Sequence, residues 1–562
     1  MDSNHLKFKC FLLLLATLNH TNGYSGELSF DSGITGSYTR QIAESKDGSE
    51  KFAADNWTFS PFLSAIYTAK RMNGAARAQH QHIRRSLDGQ SLTNNYTNYR
   101  GNVNLTLVEN LLQASANASQ NFRGVNLNSV GVDDFLLNED DLAKINNYGG
   151  SLTLSLRPKD YFGLNANLRY SKFDAENNVN DTIENENINF GSENFGAQFS
   201  LQSGPDFRPF AMQVRGATSV TKRTERNDFE SSRANANFGF PIFTPKLLFT
   251  TVFSYENNEV PSVQTGENLL REFYSYGAGL TWRSSQNKFI RVTWNQSKIA
   301  SGAGFQEETD NFLAGTINWQ LSSRTELRAD YSRRFFGETA NILFRHNTRH
   351  WRNVLSYTET ISTASSIIQN EEVSLFACPN TNNISINDCE LLDSLDPANL
   401  PPDSVFVPFQ EISFELSPNV VIRKRALYTS GIQRRRSNLS LTVSRTEDED
   451  VERDLVNTID SLQLSASINI SSRSSIVSSI VFSDLERRTI NSIEESRVNR
   501  FNLAFERQIS RKLRTAIGYT YLDRDGDNAQ NAGGFGANGL IRIDGPLTDN
   551  RITASLTYKF SK

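Results

Sequence analysis

His80 and His82 stand two apart in Gln79-His-Gln-His82. A strand would carry both imidazoles on one face, as two of the ligands a metal needs. No third ligand is legible beside them, so two polar residues facing water is the preferred reading. Asp523-Arg-Asp-Gly-Asp-Asn528 has the opening of a calcium loop, yet its glycine falls too early and the twelfth position is Gly534 rather than Glu. An acidic surface loop suffices there. A hydrolase would need a nucleophile, a base and an orienting acid brought together. Past residue 23 the histidines are His80, His82, His346 and His350, and no nucleophile elbow accompanies them. The expectation is a protein that is not an enzyme and carries no cofactor or metal. Cys378 and Cys389 lie close together in a segment rich in Asn, Asp and Pro. In an oxidising compartment they are expected to pair. A metal site is the weaker reading, since no His or further Cys lies nearby.

A second group is basic. Arg291, Arg328, Arg345, Arg352, Arg423, Arg425, Arg500 and Arg551 each fall on the polar side of an alternating segment, with Asp330 and Glu506 among their possible partners. A wall lined this way could favour anionic solutes. The plainer reading, an arginine–acid lattice that stiffens and solvates a wide wall, is preferred.

The elements that must position these residues are strands. From about Gly26 onward the chain repeats apolar residues with period two, as in Trp57/Phe59/Leu63/Ala65/Tyr67, Leu152/Leu154/Leu156, Leu313/Gly315/Ile317/Trp319 and Leu439/Leu441/Val443. That spacing aims alternate side chains at opposite faces. The last segment does the same: Ile552, Ala554, Leu556, Tyr558 and Phe560 share one face, and Arg551, Thr553, Ser555, Thr557 and Lys559 the other. Short links such as Lys70–Gly74, Pro158–Phe162, Ser284–Asn287, Ser322–Thr325, Ser471–Ser474 and Ile509–Lys512 alternate with long, acidic, Asn-rich ones at 124–147, 174–190, 298–309 and 523–549. This is the pattern of a closed antiparallel transmembrane β-barrel with short periplasmic turns and long extracellular loops. Adding turns near Gly337 and at Asn347–His350 keeps the order and gives about 24 strands, in a range of 22 to 26. The weakest is 75–86.

Mean hydropathy is −0.47, which a barrel tolerates because only alternate residues meet lipid. No stretch approaches the ~20 apolar residues of a membrane helix. A soluble propeller or solenoid would need apolar residues on both faces of many strands. Trp57, Trp282, Trp294, Trp319 and Trp351 are expected near strand ends, forming with Tyr558 and Phe560 an interfacial aromatic girdle. Lys7 and Lys9 before the apolar run Phe11–Leu18, with small residues around 21–23, read as a signal peptide over residues 1–23. Cys10 precedes that run, so a lipid anchor is not expected. The barrel then occupies 26–560, with a long insert at 361–419. Few residues separate the signal from the first strand, which disfavours an N-terminal plug and an energised receptor. The insert is the one substitute: an inward gate stiffened by Cys378–Cys389, or a surface loop. The net charge of −4 argues against nucleic acid as a partner.

Three stretches carry a resemblance. Asn104–Gln120 looks like the first strong hairpin of a known family, Arg345–Glu359 is similar to its His-x-Thr-Arg…Leu-Ser-Tyr-x-Glu segment, and Val421–Leu427 resembles a later strand. The family is the outer-membrane β-barrel associated with PEP-CTERM/exosortase systems of Gram-negative bacteria. Its members accompany exopolysaccharide biosynthesis and export loci. The motifs are of strand and turn, so no functional residue is carried over, and the insert around Cys378 and Cys389 departs from the pattern.

The resulting expectation is a bacterial outer-membrane barrel acting as a passive or gated conduit, linked through the resemblance to exopolysaccharide export. The expected partners are outer-membrane lipid and lipopolysaccharide, the barrel-assembly machinery through the C-terminal strand, exopolysaccharide, and periplasmic export components. The runner-up is a surface structural protein or adhesin whose acidic loops bind matrix or lipopolysaccharide, and an outer-membrane hydrolase stands third.

Overall fold

The structure is a computed structural model that describes residues 26–46, 51–87, 90–124, 136, 142–156, 161–177, 190–204, 206–207, 209–224, 227–261, 268–285, 288–301, 306–363, 375–379, 390–391, 404–408, 420–451, 455–490, 492–526 and 546–560. The leader at 1–23 and Cys389, and with it the Cys378–Cys389 pairing, lie outside the described residues.

The first nine strands are β1 (Glu27–Ser45), β2 (Lys51–Thr68), β3 (Met72–Leu87), β4 (Gln90–Val108), β5 (Leu112–Gly124), β6 (Leu142–Leu156), β7 (Phe162–Asn177), β8 (Phe190–Ser203) and β9 (Ala211–Arg223). Then come β10 (Phe229–Ile242), β11 (Thr244–Pro261), β12 (Asn268–Ser285), β13 (Lys288–Ser301), β14 (Gln306–Ser322), β15 (Thr325–Arg334), β16 (Gly337–Asn347) and β17 (Trp351–Ser362). Inside the long insert, β18 (Leu375–Pro379), β19 (Glu390–Leu391) and β20 (Ser404–Pro408) form a separate three-stranded sheet with β18 in the middle. The ring resumes with β21 (Val421–Gln433), β22 (Ser437–Asp450), β23 (Leu455–Ser471), β24 (Ser474–Thr489), β25 (Ile493–Gln508), β26 (Leu513–Gly526) and β27 (Leu547–Lys559).

Twenty-four of these strands make one antiparallel sheet in which each pairs with the next in sequence, β17 passes to β21, and β27 returns to β1. Closure leaves no sheet edge, so main-chain groups find partners without water. Alternation explains the faces. On β2, Trp57, Phe59 and Leu63 are exposed while Asn56 and Ser60 are buried. The exposed apolar side is the outer surface, and the polar side lines the interior. An outward apolar band around a closed polar-lined ring is the architecture of the bacterial outer membrane, and the chain is a barrel of that membrane. No described helix is long and apolar enough to cross a bilayer.

The short links Lys70–Gly74, Pro158–Phe162, Ser284–Asn287, Ser322–Thr325, Ser471–Ser474 and Ile509–Lys512 all lie at one end of the ring. Register shifts at Thr106/Val108, Pro241/Ile242, Arg283/Ser285, Gln320/Ser322 and Asn469/Ser471 sit beside turns at this end, where extra residues let the turns close. Two of these turns need a left-handed residue. Asn110 (φ 59°) takes it readily, while Phe243 (φ 57°) does so at a cost of about 1–3 kcal/mol. The opposite end departs from the near-strict alternation expected, because Leu87–Gln90 and Thr489–Ile493 are short links there, beside the turn expected near Gly337. Neighbouring strands lie ~4.8 Å apart, so a barrel demands no long loop at either end.

The tryptophans bring a second correction. Trp282, Trp319 and Trp351 lie near the short-link ends, where Trp282 and Trp319 stack at 5.2 Å. Trp57 and Trp294 lie within their strands, not at the ends. Strands of this length outrun a ~25 Å apolar band, so an interfacial residue need not be terminal. Trp57 is eleven residues above the end of β2, a rise of about 28 Å for a tilted strand, which is the level of the outer interface.

The ladder has gaps, and one lies on both sides of the β15–β16 hairpin. β15 pairs with β14 only from Ser322↔Thr325 to Gly315↔Tyr331, although β14 continues to Gln306. β16 pairs with β17 only over Ile342–Asn347, although β17 continues to Ser362. Above that level β15 and β16 keep pairing with each other up to Arg334↔Gly337. Their common tip has left the wall.

Candidate functional site

The inner wall between β7 and β17 holds most of the chemistry. On β13, β14 and β15 the register aligns Arg291, Thr316 and Asp330, on the face opposite the exposed Trp294, Leu313 and Tyr331. Arg291 Nη2 donates to Thr316 Oγ1 at 3.0 Å, and Thr316 Oγ1 donates to Asp330 Oδ2 at 2.9 Å. Thr316 thus links a guanidinium to a carboxylate that the register holds two strands away.

The displaced tip of the β15–β16 hairpin lies inside this wall. Arg334 donates to Glu256 of β11 in a two-pronged pair, Nε to Oε2 at 2.9 Å and Nη2 to Oε1. Glu256 Oε1 also accepts from Asn258 Nδ2 at 3.1 Å, and the Glu256 side chain is only 2% exposed. β11 and β15 are four places apart in the ring, about 19 Å along the wall. An extended Arg and Glu do not span that, so the tip reaches across the interior. Arg333 agrees: it shares the outer face with Tyr331, yet it pairs with Asp310 on the inner face of β14. Only a hairpin lying inside β14 brings those two together. Phe335 is buried with the Arg271 guanidinium 5.8 Å from its ring centroid, and Arg334 lies 4.8 Å over Phe336. Gly337, which follows the two-residue turn and pairs with Arg334, has a φ of 120° that glycine takes without a Cβ clash.

The eight arginines read from the sequence fall by register on the inward face. Arg328 donates to Glu326 at 2.6 Å, and Arg345 stands opposite Glu326 on the next strand. Arg423 holds Asp448 with both prongs, at 2.7 and 2.6 Å, and Arg551 binds the fully buried Asp549. Arg352 and Arg425 flank them on β17 and β21, in register with Asn347 and Thr358. Arg500 Nη2 is buried with no hydrogen bond, and Glu506 pairs with Arg514.

The sequence reading passed over a first-half group, Arg169, Arg215 and Arg233 on β7, β9 and β10. No ion pair or hydrogen bond joins any of the three to a described residue. Arg233 is near enough to Glu256 and Asp330 to be attracted, and near enough to Arg215 and Arg334 to be repelled by both. The three border two adjoining cavities, of about 660 and 150 Å³, that share Gln198, Ala217 and Arg233. The signal was available: Asn165/Asn167/Arg169 and Arg215/Ala217 repeat at period two opposite apolar partners.

His80 and His82 lie on the outer face, in register with the face that carries Phe59, and they bond to Thr97 at 2.9 Å and Asn95 at 2.8 Å. His346 bonds to Thr325 at 2.9 Å beside a short link. Among the described residues no group of three or more His, Cys, Asp or Glu is placed to hold a metal. At the loop-side rim, Lys46 contacts Asp523 and Asp525 at 2.9 and 3.2 Å. Burial lowers the Lys46 pKa, but the hydrogen bonds to these carboxylates outweigh it and leave the pKa above its ordinary 10.5.

No family model and no curated protein matches the chain. Among solved structures it is similar to the siderophore receptor PirA from Acinetobacter baumannii, with 8% identity over 94% of this chain and 80% of that one and a TM-score of 0.36. It is similar to the FrpB iron transporter from Neisseria meningitidis, with 9% identity over 94% of this chain and 82% of that one and a TM-score of 0.37. It is also similar to the outer membrane protein OmpT of Vibrio cholerae, with 8% identity over 95% of this chain and all of that one and a TM-score of 0.29. Likenesses this distant say nothing of cargo.

Proposed function

We propose that this barrel is a gated conduit across the outer membrane, narrowed by the inward tip of the β15–β16 hairpin. The carrying observation is that the tip forgoes wall rungs beyond Tyr331 and Ile342 and is fastened instead by Arg334–Glu256 and Arg333–Asp310. A wall element gains most from main-chain rungs. One that forgoes them is held by a few side-chain pairs, so its release breaks those pairs and leaves the rest of the ring's main-chain ladder intact. Exopolysaccharide is the cargo that the resemblance of residues 104–120 and 345–359 suggests, which would make the conduit part of an export route. Its support is that resemblance.

Single-channel recording in planar bilayers, on refolded protein whose heat-modifiable migration shows it closed, tests the conduit. Discrete steps with at least two levels are expected. Silence from folded protein at every voltage would overturn it in favour of a structural or adhesive barrel. The same trace with and without reductant tests the 361–419 segment, since steps that grow on reduction would make Cys378–Cys389 a second restraint.

A further inference from the structure

We infer that Arg169, Arg215 and Arg233 form a subsite on the lumen wall for a hydroxylated organic carboxylate of the uronate class. It deepens the conduit reading by naming what the passage holds, although binding itself does not require an open pore.

Three observations carry it. First, no carboxylate among the described residues makes an ion pair with these guanidiniums, whereas Arg328, Arg334, Arg423 and Arg551 each hold one. Arg233 stands beside Glu256, but Arg334 already takes both oxygens of that carboxylate. Arg233 is repelled by Arg215 and Arg334 and attracted by Glu256 and Asp330, with which it makes no ion pair, and an anion between Arg215 and Arg233 would relieve their mutual repulsion. Second, their nitrogens are not sealed away: none is among the buried atoms lacking a partner, and all three side chains border open cavity. At about 660 Å³ the larger space is of the size that takes a small organic ligand. Third, the lining is amide-rich. Asn165, Gln198, Gln202 and Asn235 share the larger cavity with Arg215 and Arg233. Amides both donate and accept, which suits hydroxyl groups and is more than a bare anion needs.

The wall is also shaped for this. Arg169 lies opposite Gly196 on β8, where any Cβ would come within 2.7 Å of the Arg169 Nε. Glycine at 196 lets the Arg169 side chain lie across the neighbouring strand. The planar forks of Arg215 and Arg233 can then meet a carboxylate edge-on, as bidentate pairs do.

The test is calorimetric titration of the folded full chain with trigalacturonate, with maltotriose as the uncharged sugar and inorganic phosphate as the charge without a sugar. Trigalacturonate should bind and maltotriose should not. Arg215→Gln with Arg233→Gln should weaken binding on the order of tenfold or more. Arg423→Gln, remote and already paired, should leave it unchanged. Equal binding of maltotriose, equal binding of phosphate, or indifference to the double substitution would each overturn the subsite. The conduit is judged separately: a conducting protein that ignores trigalacturonate sinks the subsite alone, and a silent protein that binds it sinks the conduit alone.

Discussion

Two joints in the barrel wall are built in opposite ways. Where β27 meets β1, register runs unbroken from Gly33↔Lys559 to Ser45↔Leu547. Neutral hydroxyl rungs reinforce it, Thr35 to Thr557 at 3.0 Å and Thr39 to Thr553 at 2.9 Å. Where the β15–β16 hairpin meets β14 and β17, pairing stops at Tyr331 on one side and Ile342 on the other. From there the hairpin is held by Arg334–Glu256, Arg333–Asp310 and the packing of Phe335 beneath Arg271. The first joint joins the two ends of the chain and gains nothing from opening. The second sits over the lumen and is fastened by a few side chains, so it can move without breaking the ring.

Removing the hairpin tip breaks this contrast most severely. Replacing residues 332–339 by Asn-Gly closes the hairpin at the existing Tyr331↔Ala340 rung with a turn that suits it. Single-channel conductance should rise severalfold while thermal unfolding stays close to the parent. An unchanged conductance would mean that the tip does not narrow the passage. Glu256→Gln is milder. It leaves the Arg334 guanidinium in a buried place without its counter-charge, at a cost of about 3–5 kcal/mol to the docked tip. Openings should become longer and more frequent at unchanged maximal conductance, and adding Arg334→Gln should recover part of the loss. A coupling energy near zero in that cycle, against the ~0.5–3 kcal/mol of touching residues, would show that the pair does not hold the tip. Smallest is the seam. Thr39→Val with Thr553→Val removes both hydroxyls of one rung, an exchange that is near neutral when both partners go. Conductance and melting temperature should barely change, and a large loss of stability would place the strength of the seam in its side chains.

Much of the fold was legible because lipid and lumen impose their contrast residue by residue. Even β3, with its polar Gln79-His-Gln-His82 core, forms where a strand was expected at 75–86, running from Met72 to Leu87. The strand count was legible for the same reason, since each segment announces itself locally. Height was not. Period two says which face Trp57 takes, but its level depends on how far β2 rises beyond the lipid. Charge was read on the correct strands, with an arginine–acid lattice preferred, but the acids were not the ones named: Arg423 holds Asp448 and Arg551 holds Asp549. Arg169, Arg215 and Arg233, with which no described carboxylate pairs, were passed over.

The sequence by itself therefore determined the alternation, the strands, the ring they close and the outward apolar band, because each follows from neighbours one or two residues apart. Only the tertiary structure decided which arginines are satisfied and where the wall opens. Glu256 and Arg334 are 78 residues and four strands apart. They meet because the hairpin bends inward, and no local periodicity encodes a contact made across the hollow of a barrel.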